Sequence, residues 1–163
     1  MPLDPFAATA GDAPAYWSLG ELLTMYATAE QTGGAFSLME ERLPKGAEPP
    51  PHVHHREDEA FFVLVGSLTV RVGDRTFSAA PGTFVFCPRE IPHLLTVESD
   101  EVRMLTLCTP GGVEQLFVEL GEPASSRTLP ADGTEPDLDR VVTLAAHYGA
   151  EVLLDWPGDA VPT

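Results

Sequence analysis

Three of the chain's five histidines, His52, His54 and His55, crowd into the segment PPHVHHREDE, directly after a proline run. In an extended strand, side chains two residues apart point the same way, so His52 and His54 converge while Val53 faces away. Glu59 follows a charged bend and opens an apolar run, and His93 opens a second apolar segment after FVFC. Three imidazoles and a carboxylate form a natural cage for one divalent cation, with one or two positions left open for water or a ligand. Such a set accepts iron, manganese, nickel, cobalt or zinc alike. His55 has the opposite parity to its neighbours and is expected to face outward or stand behind the cage. Arg56, Glu57 and Asp58 read as a solvated bend, and His147 as an ordinary histidine on a late helix.

The elements that must position these residues are mostly strands. Leu68, Val70 and Val72 alternate with Ser67, Thr69 and Arg71, the period of a strand with one buried face. Further strands are expected over 22–28, 35–43, 60–65, 76–78, 83–87, 93–97 and 102–108, separated by turns such as Gly73-Asp74-Arg75 and Pro81-Gly82. Gln31 to Gly34 is expected to be the turn of a hairpin. This spacing suits a sandwich or barrel rather than βαβ units. Two helices should follow. Val113, Leu116, Phe117 and Leu120 keep helical spacing before Gly121, and Leu138 to Tyr148 does the same, with Asp137 as N-cap and Gly149 beyond the end. Residues 122–136 read as a surface loop.

The 163 residues fit one domain, and a formal charge of −16 makes nucleic acid and anionic membrane surfaces poor partners. No run is apolar enough to span a bilayer and no signal-peptide pattern opens the chain, so a cytoplasmic protein is expected. Cys87 and Cys108, each inside an apolar run, read as buried thiols rather than a metal or redox pair.

With these residues in place, the chain resembles the cupin superfamily. Gly46, His52, His54, Glu59 and Gly66 meet the first cupin signature, G-x5-H-x-H-x4-E-x6-G, in full. Gly82, Pro88 and His93 meet the second, G-x5-P-x-G-x2-H-x3-N, with Glu90 and Val97 in place of its second glycine and its asparagine. The PHxHxREDE-x-F pattern and the PGG-x-E segment, Pro110 to Glu114, are similar to those of small bacterial quercetinase-like cupins. The resemblance implies an all-β double-stranded β-helix, a jelly-roll barrel, holding one metal ion through His52, His54, Glu59 and His93. It also implies a homodimer. We divide the chain into a flexible N-terminal arm (1–15), the barrel (16–110) and a C-terminal helical extension packed on it (111–163).

Strand alternation requires some of Phe36, Leu38, Phe61, Val63, Phe84, Phe86, Leu95 and Met104 to face the ion and shape an apolar pocket for a small-molecule substrate. If Glu59 points inward, Phe61 and Val63 follow; if His93 does, so does Leu95. By resemblance, the chemistry expected is that of a metal-dependent dioxygenase taking dioxygen and a flavonol-like or other aromatic hydroxylated compound. Glu59 would be its catalytic base, taking the substrate hydroxyl proton. Two alternatives stay open: Lewis-acid cyclisation, isomerisation or lyase chemistry without dioxygen, and a non-catalytic metal or ligand-binding module.

Overall fold

The computed structural model describes residues 3–131 and 136–156. Met1 and Pro2 of the expected arm, and residues 132–135 and 157–163 of the expected extension, lie outside the described residues. Two antiparallel sheets face each other. The larger contains β1 (Ala15–Ser18), β2 (Glu21–Ala27), β3 (Ser37–Pro44), β5 (Asp58–Val65), β8 (Phe84–Cys87), β10 (Glu101–Thr109) and the two-residue β11 (Glu122–Pro123), in the order β11-β1-β2-β3-β10-β5-β8. The smaller runs β12 (Ala150–Val152), β4 (His52–His54), β9 (His93–Val97), β6 (Leu68–Val72) and β7 (Arg75–Ala79). This is the jelly-roll architecture expected of the sequence.

The core between the sheets is built by alternation. Phe61 and Val63 of the larger sheet meet Leu68, Val70, Leu95 and Val97 of the smaller one, together with Leu43, Val85, Val102 and Met104. Each large side chain of this kind contributes roughly 1.5–3 kcal/mol when removed from water. Gly66 permits the tight β5–β6 turn: its φ is +80°, and a Cβ there would run into the Glu101 carbonyl and the Ser99 hydroxyl.

Among the described residues, three short helices complete the fold. Thr28 caps α1 (Ala29–Thr32), which replaces the expected hairpin turn; Thr28 and Gln31 satisfy each other's backbone N–H groups as a capping box. Helices α2 (Glu114–Leu120) and α3 (Leu138–His147) follow the barrel, and the Asp137 side chain caps α3 by accepting from Arg140 N–H. Val113, Leu116 and Ala145 pack with Leu23, Met25, Met39 and Cys108, so the helices cover the part of the larger sheet that the smaller one leaves bare. None of the described helices is long and apolar enough to cross a membrane. Within the arm, Ala13 is buried and its carbonyl accepts from Arg127, while Ala15 already belongs to β1.

Candidate metal centre

His52 and His54 enter from β4, His93 from the adjacent β9, and Glu59 from β5 in the opposite sheet. His52 and His93 lie directly opposite in their ladder, so both rings leave the same face. One ligand atom from each of the four residues falls within 4.8 Å of all the others. Ring centroids are 5.0 Å apart for His52 and His54, 4.4 Å for His52 and His93, and 5.6 Å for His54 and His93.

The donor atoms fit a shared cation better than they fit one another. Glu59 Oε2 is 2.9 Å from His93 Nε2, but without the angle of a hydrogen bond, and both atoms are buried with no hydrogen-bond partner among the described residues. His52 Nδ1 lies 2.9 Å from the Pro50 carbonyl, which can only accept; that nitrogen therefore carries the proton and leaves Nε2 bare. Glu59 is held from behind, where the Cys108 thiol donates to Oε1 at 3.7 Å.

Electrostatics point the same way. Burial works to raise the Glu59 carboxyl, but the His54 and His93 rings outweigh it and hold it well below the usual carboxylate range. Burial works against charge on His54, yet Glu59 and Glu57 overcome it and lift the ring to about 10. Burial, with His93 and His54, pushes His52 down to about 3. The site thus favours a proton on His54, which marks where the protein's field favours a cation.

A cavity of about 60 Å³ opens beside this cluster, lined by His52, His54, Glu59, Phe61 and Leu95 from the barrel. Its remaining walls come from Glu21 and Glu41, from Leu19, Pro49 and Pro50, and from apolar residues of α2, α3 and β12 such as Phe117, Leu120 and Val141. Of the expected pocket residues, only Phe61 and Leu95 are among its lining. Val63 and Met104 also point inward but are consumed in the core below. Phe36, Phe84 and Phe86 are exposed and Leu38 is half-buried, all on the outer side of the larger sheet. The register explains this placement: Glu59 lies opposite Cys87 and Phe61 opposite Val85, so Cys87 and Val85 are the inward residues of β8 and its phenylalanines face out. In β3 the inward set is likewise Met39, Glu41 and Leu43. The one bulge in the β5–β10 ladder falls beyond Val63, so Glu59, Phe61 and Val63 keep a common face.

His55 lies outside the cluster, with one ring nitrogen 2.9 Å from Glu90 and the other 3.2 Å from Glu151. His147 is exposed against Tyr148. Glu57 departs from the solvated bend: it is buried, with Oε2 3.7 Å from His54 Nδ1. Cys87 and Cys108 are free and buried; both flank Glu59 across separate ladders, so a whole strand lies between them. Four residues near the site escaped the sequence reading: Glu57, Cys108, Glu21 and Glu41. Strand parity from Met39 or Leu43 would have turned Glu41 inward, but nothing in the spacing marks Glu21.

Residues 39–110, which span both sheets and the His3Glu cluster, match the cupin domain family. The chain is similar to quercetinases over a larger stretch. It is 25% identical over 138 residues to a quercetin 2,3-dioxygenase of Bacillus subtilis (strain 168), covering 85% of this chain and 41% of that protein. It is 29% identical over 140 residues to a quercetin 2,3-dioxygenase of Aspergillus japonicus, covering 76% of this chain and 40% of that one. The chain therefore spans about 40% of the length of these curated relatives. Among solved structures, an RmlC-like cupin from Shewanella frigidimarina NCIMB 400 superposes with a TM-score of 0.60 at 16% identity, covering 71% of this chain and 99% of that one. At that identity the match speaks for the fold alone.

Proposed function

We propose that this cupin is a metal-dependent dioxygenase acting on an aromatic hydroxylated small molecule, with His52, His54, Glu59 and His93 as metal ligands. The observation that carries the reading is the convergence of those four donors at the end of an apolar cavity; the quercetin 2,3-dioxygenase relatives support the choice of chemistry. A redox-active ion held there supplies acidification of a bound hydroxyl and one-electron chemistry with dioxygen. The residues supply the rest. Glu59, kept ionised by His54 and His93, accepts the substrate hydroxyl proton at Oε2, while Cys108 fixes its other oxygen. Phe61, Leu95 and Phe117 hold an aromatic ring and exclude water. Both atoms of dioxygen enter the substrate, which is the species oxidised, so no separate reductant is needed.

Cavity size limits the substrate. At about 60 Å³ the free space is well below the ~300 Å³ of typical small-molecule sites, so a three-ring flavonol enters only if α3 and β12 move outward. A single-ring phenol or catechol needs less displacement.

The test is direct. Elemental analysis of protein purified without added metal should find iron, manganese, nickel or cobalt, and oxygen-electrode traces with catechols and flavonols should show uptake. Uptake by none of them, with each of these metals loaded, sinks the dioxygenase reading. In His93→Ala, bound metal should fall to background and the thermal midpoint should drop to that of the metal-free protein, because binding free energy adds to folding free energy. Unchanged metal content there would remove His93 from the ligand set.

A second reading, Lewis-acid isomerisation or lyase chemistry, is favoured by Glu41. Burial, with the nearby Glu59 charge, pushes its carboxyl up to about 8, suited to proton transfer near neutral pH. Substrate turnover with no oxygen uptake selects that reading. We also propose that the chain pairs as a homodimer through the outer phenylalanine face of β5 and β8.

A further inference from the structure

We propose that Glu21 and Glu41 form an acid pair that reads the substrate, donating hydrogen bonds to a carbonyl-type oxygen of an uncharged ligand whose hydroxyl end faces His52, His54 and Glu59. The inference rests on the metal-centre reading above and names a substrate feature that the centre alone does not specify.

The placement follows from the hairpin of β1 and β2. Leu19 and Gly20 form its two-residue turn, both at positive φ, and the pairing of Ser18 with Glu21 closes it. In the next ladder Leu23 lies opposite Glu41, so Glu21 is the diagonal neighbour of Glu41 on the inner face of the larger sheet. Both carboxyls line the same cavity as His52, His54 and Glu59, and they are only 4% and 7% exposed.

What these groups lack is decisive. No Lys or Arg lines the cavity among the described residues; the facing groups are Glu59 from β5, His52 and His54 from β4, and apolar side chains from α2, α3 and β12. Glu59 already carries the negative charge there. Two further buried carboxylates with no Lys or Arg beside them would be poorly solvated, so burial, the larger cause, together with the Glu59 charge favours the neutral forms of Glu21 and Glu41. Glu21 Oε2 is buried with no partner among the described residues.

A structural role is met differently in this same protein. Glu114 is fully buried, and its two oxygens accept from Ala29 N–H at 2.7 Å and Gly112 N–H at 2.6 Å. Glu114 ties α1 and the turn before α2 to one carboxyl group; Glu21 is a lining residue of the cavity and keeps a buried oxygen without a partner among the described residues. Leaving a buried polar group unpaired is costly, and a ligand oxygen accepting its proton recovers that cost. The wall around the pair is otherwise apolar (Leu19, Leu120, Val141), which suits an uncharged ring and disfavours a carboxylate.

The experiment uses cobalt(II)-loaded protein under argon and four probes sharing one phenol: 4-hydroxyacetophenone, 4-ethylphenol, 4-hydroxybenzoate and 4-hydroxybenzylamine. Calorimetry should show the ketone binding about tenfold tighter than the ethyl compound, with the carboxylate and the amine weaker than the ketone. Glu21→Leu and Glu41→Leu should lose that preference. Glu21→Gln and Glu41→Gln should keep it within about threefold, because an amide is a neutral donor of similar shape. Equal binding of ketone and ethyl probes overturns the proposal. So does tightest binding of the amine, loss of preference in the glutamine variants, or binding of none of the four. Infrared difference spectra of the wild-type protein need no variant: a protonated-carboxyl band at pH 7 that shifts with the ketone is expected, and its absence overturns the proposal. Oxygen uptake judges the dioxygenase reading separately, since the ketone preference does not depend on turnover.

Discussion

Glu59 and Glu41 stand on one inner sheet face, three strands wide, yet carry opposite charge states. The difference lies in their neighbours. Two imidazoles face Glu59, whereas Glu41 has only burial, a like charge and Thr106. Linkage turns this into a stability profile. The native Glu41 carboxyl sits at about 8 against an ordinary 4.5, so above pH 4.5 the unfolded chain releases a proton that the native state retains. Stability from this group is therefore full below pH 4.5 and falls as pH rises through 8. Glu41→Gln should be more stable than wild type at pH 8, by on the order of 2 kcal/mol, with the gain vanishing near pH 4.5. Urea denaturation at the two pH values measures it; an equal gain at both would show that charge is not the cause. Glu90 offers a second case. It occupies the position where the cupin signature has glycine, and it adopts the glycine conformation, φ +66°, while donating its N–H to the His54 carbonyl at 2.8 Å. A left-handed backbone costs a non-glycine residue roughly 1–2 kcal/mol, and the exposed contact of Glu90 with His55 recovers little of it. Glu90→Gly should raise the thermal midpoint by a few degrees, about 1 kcal/mol, in calorimetry; a lower midpoint would mean that the His55 contact outweighs the strain.

Helices α2 and α3 decide how much room the centre offers. Leu120 and Phe117 close the cavity from α2, and Val141 and Ala145 from α3. Leu120→Ala should enlarge the space, lower KM for a three-ring flavonol more than for a catechol, and cost about 1–2 kcal/mol of stability, because the side chain is only partly buried. Identical KM changes for both substrates would show that α2 does not gate size. At this scale the sequence was readable wherever alternation was regular. The central strands β5, β6, β9 and β10 follow from their own residues, as do α2 and α3 from helical spacing and caps. The grouping of the four donors was readable too, since residues of one strand share a face by parity and the two signatures point to the rest. The short pieces were not: β1, β11 and β12 span four residues or fewer, too few for a period to register. The pocket was half legible for a related reason. Parity gives two choices per strand, and the inward set of β8 is fixed only by its pairing with β5. The apolar walls from α2 and α3 depend on where the helices dock.

For the whole molecule, a charge of −16 keeps most surfaces apart, which makes the outer face of β5 and β8 stand out. Phe84 and Phe86 are 60% and 51% exposed, Phe62 lies opposite Phe84, and β8 is the edge of its sheet. A free edge beside an apolar face suits a twofold interface in which both copies use the same residues. Light scattering should give twice the chain mass for wild type and the monomer mass for Phe84→Asp; a wild-type monomer would end this reading. The ladder between β4 and β12 reaches further still. Val152 lies opposite His52 and Ala150 opposite His54, so the strand that carries two imidazoles has its outer neighbour nearly a hundred residues downstream. During synthesis that neighbour emerges from the ribosome long after the histidines do. Until then β4 has only β9 beside it, so the strand that carries two of the four donors gains its second neighbour last.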